Sequence, residues 1–323
     1  MSWRPSAGVE TARRRARMLA RAREFFVARD VLEVETPMLS QAAISDPHIE
    51  SVEARLALDP RRPRYLRTSP ELCMKRLLCA GYPDIVEIGR VFRDGEAGRR
   101  HQPEFTLVEW YRRGFGLREI VAETLEFLSA LIDARHLAPP PEVLDYRDAF
   151  RRLADVEPLE APIAALAAAA DTDKALAAAL GDRRDAWLDF LLATRVVPRF
   201  APGKLTVLTH YPASQAALAR LCPSDPKVAD RFEVYRGELE LANGFVELRD
   251  RSEQARRIEA DQARRRAEHL RRRPHDERFL AALEHGLPAC AGVAVGFDRL
   301  VMINEMTDDI RKVQTFDFED ARK

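Results

Sequence analysis

Between Asp84 and Tyr111 the chain has few ways to fold. Both ends of the stretch are rich in β-branched and aromatic residues, and its polar middle carries Gly95 and Gly98. That pattern predicts two strands joined by a long loop. Side chains alternate across a strand, so Phe105, Leu107, Glu109 and Tyr111 share one face while Thr106, Val108 and Trp110 share the other. The first face is chemically odd: a carboxylate and a phenol follow an aromatic ring. It is entered from a loop bearing Arg93, Arg99, Arg100 and His101. Such a set suits a cationic substrate held beside a polyphosphate. A hairpin whose polar face is simply solvated is the alternative.

With 323 residues and 46% apolar content, the chain can bury a sizeable core as one large domain or two small ones. Lysine plus arginine equal aspartate plus glutamate at 52 each, which leaves no net field to draw in nucleic acid. Cys73, Cys79, Cys222 and Cys290 lack metal-ligand spacing and read as small reduced core residues. No run is apolar enough to span a bilayer and none resembles a signal peptide, so a cytoplasmic protein is expected.

Taken in order, Thr11 is a candidate cap for a helix with an apolar stripe at Ala12, Ala16, Leu19, Ala22 and Phe26. A second apolar edge at Met18 and Phe25 could serve a dimer interface. Its arginines read as a solvated face. Val31 to Thr36 alternates as a strand that must stop at Pro37. From Ser40 to Arg67 the chain reads as loop and short strands broken by Pro47, Pro60 and Pro63, with little visible chemistry. Ser69-Pro-Glu71 opens a helix with Pro70 in its first position, where Glu71 is at least a helix-start carboxylate. Another helix is predicted from Leu117 to Ala134. Residues 145–200, alanine-rich from Ala164 to Ala179, read as a helical insertion with no convergent polar set, suited to packing or partner contact.

If Arg236-Gly237 turns a hairpin, Glu233 falls opposite Glu240. Opposed like charges repel unless a cation sits between them, and magnesium suits such a pair; two solvated glutamates on an edge are the alternative. Glu247 has the opposite parity to Glu240, so the two share a site only if Asn243-Gly244 bends the strand. Residues 252–272 read as a helix with a solvated, mixed-charge face. Finally Cys290 to Met302 is a small-residue strand running into a helix that begins near Asp298. Arg299 in its first turn, beside unpaired backbone donors, makes an anion site.

In this order, the helix, strand and proline ending at Pro37, Phe92-Arg93 with its loop and returning strand, and Gly296-Phe-Asp-Arg299 resemble the three signature motifs of class II aminoacyl-tRNA synthetases. Ser69-Pro-Glu-Leu72, His101-Gln-Pro-Glu-Phe-Thr106 and Glu240-Leu-Ala-Asn-Gly-Phe-Val-Glu247 are similar to the lysine-specific branch. The resemblance covers nearly the whole chain. It implies an α+β fold: a class II synthetase-like catalytic core spanning 1–323, with an antiparallel sheet flanked by helices, the 145–200 insertion inside it, and a homodimer. It further implies ATP as substrate and magnesium as cofactor. Arg93 and His101 would take the α- and outer phosphates, Arg299 the γ-phosphate, and adenine would lie between Phe105 and Arg299. Glu233 and Glu240 would hold the metal. Glu71 would take the substrate's amino group, with Glu109, Tyr111, Asn243 and Glu247 around its side-chain ammonium. Ala294 stands where lysyl-tRNA synthetases usually have glycine, a change that accompanies preference for β-lysine.

Two departures shape the expectation. Lysyl-tRNA synthetases carry an anticodon-binding domain before the first motif, whereas here that motif starts within the first thirty residues. The chain therefore resembles the truncated paralogues that attach (R)-β-lysine to a lysine of elongation factor P, and no transfer RNA is expected as partner. Asp94-Gly95 replaces the usual Asn-Glu, removing a contact to the adenine amino group that Glu96 could supply. A free-standing adenylate-forming enzyme acting on transfer RNA or a metabolite, and a non-catalytic regulatory paralogue, are the competing readings; the filled phosphate positions argue against the second.

Overall fold

The computed structural model describes residues 4–318. Eight strands form the main sheet: β1 Leu32–Glu33, β2 Ile85–Phe92, β3 Glu104–Arg113, β4 Glu142–Asp145, β5 Leu205–Thr209, β6 Arg231–Arg236, β7 Leu239–Val246 and β8 Cys290–Gly296. Their spatial order is β1-β2-β3-β8-β7-β6-β5-β4. The six central strands run antiparallel, as expected, while the edge strands β1 and β4 pair in parallel with their neighbours. The expected hairpin is present, with Ile85 opposite Tyr111 and Phe92 opposite Glu104.

One face of this sheet is covered by helices α1 (Val9–Val27), α3 (Leu117–Leu131) and α10 (Phe297–Asn304), with α2 (Glu71–Cys79) lying elsewhere. Val108 and Trp110 point into that core, as strand alternation requires. Phe26, Trp110 and Phe127 meet there with ring centroids 5.1–5.2 Å apart. Removing each such ring from water contributes about 2 kcal/mol. The α1 stripe is rotated from the one expected: Met18, Ala22, Phe25 and Phe26 are buried and Ala16 is exposed. Methionine and phenylalanine bury more apolar area than the alanines, so the larger residues set the buried face, and the second edge at Met18 and Phe25 is used inside the chain. The cap is Gly8 rather than Thr11, whose hydroxyl instead donates to Glu305.

The strand expected to run to Pro37 pairs over Leu32–Glu33 alone. Pro60 and Pro63 do not break the chain. They lie within strand Asp59–Leu66, whose paired residues are Asp59 and Arg64 to Leu66, so the missing N–H groups fall at unpaired positions. α2 starts at Glu71 with Pro70 just outside it and the Ser69 hydroxyl accepting from the Glu71 N–H. α3 ends at Leu131, and a 3₁₀ turn follows at Ala134–His136.

Between β4 and β5 lie α4 (Tyr146–Ala154), α5 (Ile163–Ala170), α6 (Lys174–Leu180) and α7 (Arg184–Leu191). They enclose a second core, where Tyr146, Phe150, Trp187 and Leu188 pack with Tyr211 and Tyr235 of the sheet region. α8 (Arg251–Ala267) and α9 (Glu277–Gly286) follow β7, and α9 packs with α2 through Met74, Leu78, Phe279 and Leu283. No helix among the described residues is long and apolar enough to cross a membrane.

Candidate active site

The sheet face away from α1 carries a cavity of about 490 Å³. Its floor is Leu107, Glu109 and Tyr111 of β3 with Gly292 and Ala294 of β8; Asn243, Phe245, Glu247 and Glu233 continue it across β7 and β6. Eight of the twelve expected site residues line it: Glu71, Arg93, Glu109, Tyr111, Glu233, Asn243, Glu247 and Ala294. Close packing demands glycine at 292. A Cβ there would lie 2.4 Å from the Tyr111 ring and 2.8 Å from Glu247 Oε1.

Three carboxylates gather at the inner end. Glu109 is buried and accepts from Tyr111 Oη at 2.6 Å and Ser69 Oγ at 2.9 Å. Burial, then the charge of Glu71, pushes it up to about 7. Glu247 is pushed up to about 8 by burial, which outweighs the pull of Lys75. Its Oε1 is buried without a hydrogen-bond partner among the described residues, which leaves an acceptor for a ligand. Lys75 was not anticipated from the sequence. Its Nζ, 1% exposed, lies 2.6 Å from Glu71 Oε1 and 2.5 Å from Glu247 Oε2. The four-residue spacing from Glu71 on one helix was the available signal.

The other four expected residues form a second cluster around Arg93 and Arg299. Arg93 stands over the Phe105 ring at 5.1 Å, and its buried Nε has no hydrogen-bond partner among the described residues. Arg299 donates to the Glu240 carbonyl at 2.6 Å and lies 2.9 Å from His101 Nε2. Arg93 thus sets a cation over the Phe105 ring, within the same cluster as Arg299. Burial, then the adjacent Arg299, holds His101 below the usual histidine range. Glu96 lies 3.7 Å from Arg93, and Gly95 adopts φ +78°, a bend glycine takes without strain. Arg99 and Arg100 reach Asp308 and Glu238 of their own chain.

The β6–β7 hairpin corrects the expected register. It turns through Gly237-Glu238, so Arg236 pairs with Leu239, Tyr235 with Glu240 and Glu233 with Asn243. The extra residue is Leu241, between Tyr235–Glu240 and Val234–Ala242, and not Asn243-Gly244. This bulge changes parity once, which brings Glu240 onto the face of Asn243 and Glu247. Glu233 accepts from Tyr211 at 2.6 Å and Arg231 at 2.5 Å, and from Tyr235. Glu240 is raised by burial and then by the charge of Glu233. Two carboxylates that repel across a bulge fit a divalent cation, with Glu240 having more oxygen capacity to spare.

Three stretches credited with no site chemistry supply walls. Residues 43–49 line the cavity, and Arg67 nearby forms a buried ion pair with Glu87. Asp185 and Asp189 of α7 bring the helical insertion to the cavity, where they accept from Ser214 and Gln215. α8 is more than a solvated helix: Gln254, Gln262 and Arg265 are buried, and Gln254, Arg257 and Ile258 face the cavity.

An antiparallel sheet holding an arginine–phenylalanine cluster beside a carboxylate-lined cavity, with a closing strand-to-helix turn at Arg299, is the arrangement of class II synthetase catalytic domains. The sequence model for tRNA synthetases class II (D, K and N) matches residues 1–319, and the chain belongs to that family. Within it, the chain is similar to proteins named elongation factor P--(R)-beta-lysine ligase. That of Pseudoalteromonas translucida is 43% identical over 98% of this chain and 97% of its own, and that of Proteus mirabilis is 44% identical over 97% of each. The Haemophilus influenzae protein of that name is 41% identical over 99% of this chain and 98% of its own.

Proposed function

We propose that this protein activates (R)-β-lysine, or lysine, with ATP and transfers it to a lysine side chain of elongation factor P. The supporting observation is one cavity whose inner end is lined by Glu71, Glu109 and Glu247 and whose outer side opens to Arg93. Ammonium groups belong at the first end and phosphate at the second. The relatives' shared name supports the acceptor.

In this reading the whole chain is one catalytic domain carrying the 145–200 insertion. Arg93 takes the α-phosphate through the fork that its unpaired Nε leaves available. His101 and Arg299 take the outer phosphates and Phe105 stacks on adenine. Magnesium, when bound, offsets phosphate charge, and Glu240 and Glu233 would hold it. Glu71 orients the substrate's amino group, while Glu109, Tyr111, Asn243 and Glu247 receive its terminal ammonium. The substrate carboxylate attacks the α-phosphorus in line and pyrophosphate leaves. The acceptor amine then attacks the adenylate carbonyl, the bond to AMP breaks, the nitrogen loses a proton and an amide remains. Positioning and charge neutralisation suffice, so no side chain need act as nucleophile.

Incubated with ATP, β-lysine and elongation factor P, the protein is expected to raise the acceptor's mass by one lysyl-type residue while leaving lysine transfer RNA uncharged. Efficient transfer-RNA charging with an unmodified elongation factor would overturn the reading. A cytoplasmic homodimer is part of this proposal. Val27 and Leu32, at the end of α1 and on the edge strand β1, are 76% and 46% exposed, an apolar pair that a second copy would cover. Light scattering at micromolar concentration is expected to give twice the chain mass; a monomer counts against it.

A further inference from the structure

At the inner end of the cavity three carboxylates, Glu71, Glu109 and Glu247, face a single ammonium, that of Lys75. With all four ionised, two negative charges are left over. Lys75 itself is sealed: it is 1% exposed and backed by the Phe245 and Phe279 rings at 5.1 and 5.9 Å. It is bound to two of the three carboxylates at 2.6 and 2.5 Å, so it fixes both their positions and the charge of the set.

We infer that Lys75 is the positioning residue that tunes the amino-acid subsite to a substrate with two ammonium groups. The inference rests on the diamino-acid reading above and adds the device that selects for it. A diamino acid cancels the leftover charge, whereas a monoamino acid strands one buried carboxylate, which must then keep a proton. Without Lys75 three ionised carboxylates would repel one another, and the empty site would hold a further proton.

Proton linkage follows with a definite sign. In the empty site Glu109 and Glu247 are raised to about 7 and about 8, chiefly by burial, so near neutral pH they hold part of a proton each. The other groups there stay fixed. Tyr111 is raised well above its ordinary value, and burial likewise raises Cys79 and Cys290, so all three remain neutral. Burial disfavours the Lys75 charge, but the attractions of Glu247 and then Glu71 prevail and keep it protonated. An arriving ammonium favours the ionised carboxylates and expels their protons. Binding therefore tightens as pH rises towards about 8.

Calorimetry of the intact protein at neutral pH, in buffers of differing ionisation enthalpy, counts those protons. β-Lysine is expected to release about one proton more than the same β-amino acid lacking its terminal amine. In Lys75→Met the count for β-lysine should rise. The pH at which the KM for β-lysine in pyrophosphate exchange levels off should move up by about one unit, with KM at neutral pH raised about tenfold. A role in packing alone would lower the melting temperature without moving proton count or pH profile. Equal counts for the two ligands in the unaltered protein overturn the inference even if Lys75→Met does not fold, and so does an unmoved pH profile in a folded Lys75→Met. In either case normal exchange with β-lysine leaves the functional reading standing; absence of exchange with any diamino acid sinks both.

Discussion

Arg93→Ala is expected to abolish ATP–pyrophosphate exchange while leaving the chain folded. A positioned, charge-assisted contact to the transferring phosphoryl group supplies about 2–4 kcal/mol in the transition state, so losing it costs about a hundredfold or more in kcat/KM. The fold has little at stake. Arg93 is held by Glu96 at 3.7 Å and by the Phe105 ring, and neither partner belongs to a core cluster. Arg93→Lys separates charge from shape, because an ammonium keeps the attraction but not the planar fork, and it should recover only part of the rate. Arg299→Ala is expected to fall in the same range, though its bond to the Glu240 carbonyl also ties helix α10 to β7. Near-normal exchange in Arg93→Ala would remove this residue from the phosphate site.

What could be read in advance followed the physics of period and pattern. The β2–β3 hairpin and its two faces were legible because alternation has period two and Trp110 and Tyr111 differ so plainly in neighbours. α1 was legible as a helix but not in its orientation, since several stripes pass the periodicity test and only packing volume chooses Met18 and Phe25. The β6–β7 register failed because an Arg-Gly pair does not pin a turn: the hairpin turns one residue later, at Gly237-Glu238, which sets Glu240 opposite Tyr235, and the bulge at Leu241, which has no local signature, then puts Glu240 on the face of Asn243 and Glu247.

The site was legible as a set of residue types and not as a network. Glu71, Glu109 and Glu247 come from separate parts of the chain, and nothing local shows that one buried lysine joins two of them. α8 hid its inner face for the opposite reason. The stripe it buries is Gln254, Gln262 and Arg265, polar side chains that give no hydrophobic period; Arg265 is satisfied by Glu50 at 2.6 Å and by backbone carbonyls. Buried polar groups with distant partners escape any reading by periodicity.

Gly292→Ala tests the cavity's floor at its tightest point. One added methyl would lie 2.4 and 2.6 Å from ring carbons of Tyr111 and 2.8 Å from Glu247 Oε1, separations no real side chain keeps. Something must move, and the choices are poor. Tyr111 is 2% exposed and donates to Glu109, so pushing its ring displaces the carboxylate as well. Glu247 is tied to Lys75, so moving it drags the helix-borne ammonium and, through it, Glu71. Each path misplaces a group assigned to substrate nitrogen, and a shift of about 1 Å there costs about a hundredfold. The loss should fall on kcat/KM for β-lysine while ATP affinity holds, because Arg93, Phe105 and Arg299 lie away from the added methyl. Two residues along, Ala294 already carries a methyl on the same floor, and Ala294→Gly should widen the site and raise use of α-lysine relative to β-lysine. Pyrophosphate exchange with both amino acids checks the pair. A folded Gly292→Ala with unchanged kcat/KM would mean that substrate does not bind against Tyr111 and Glu247.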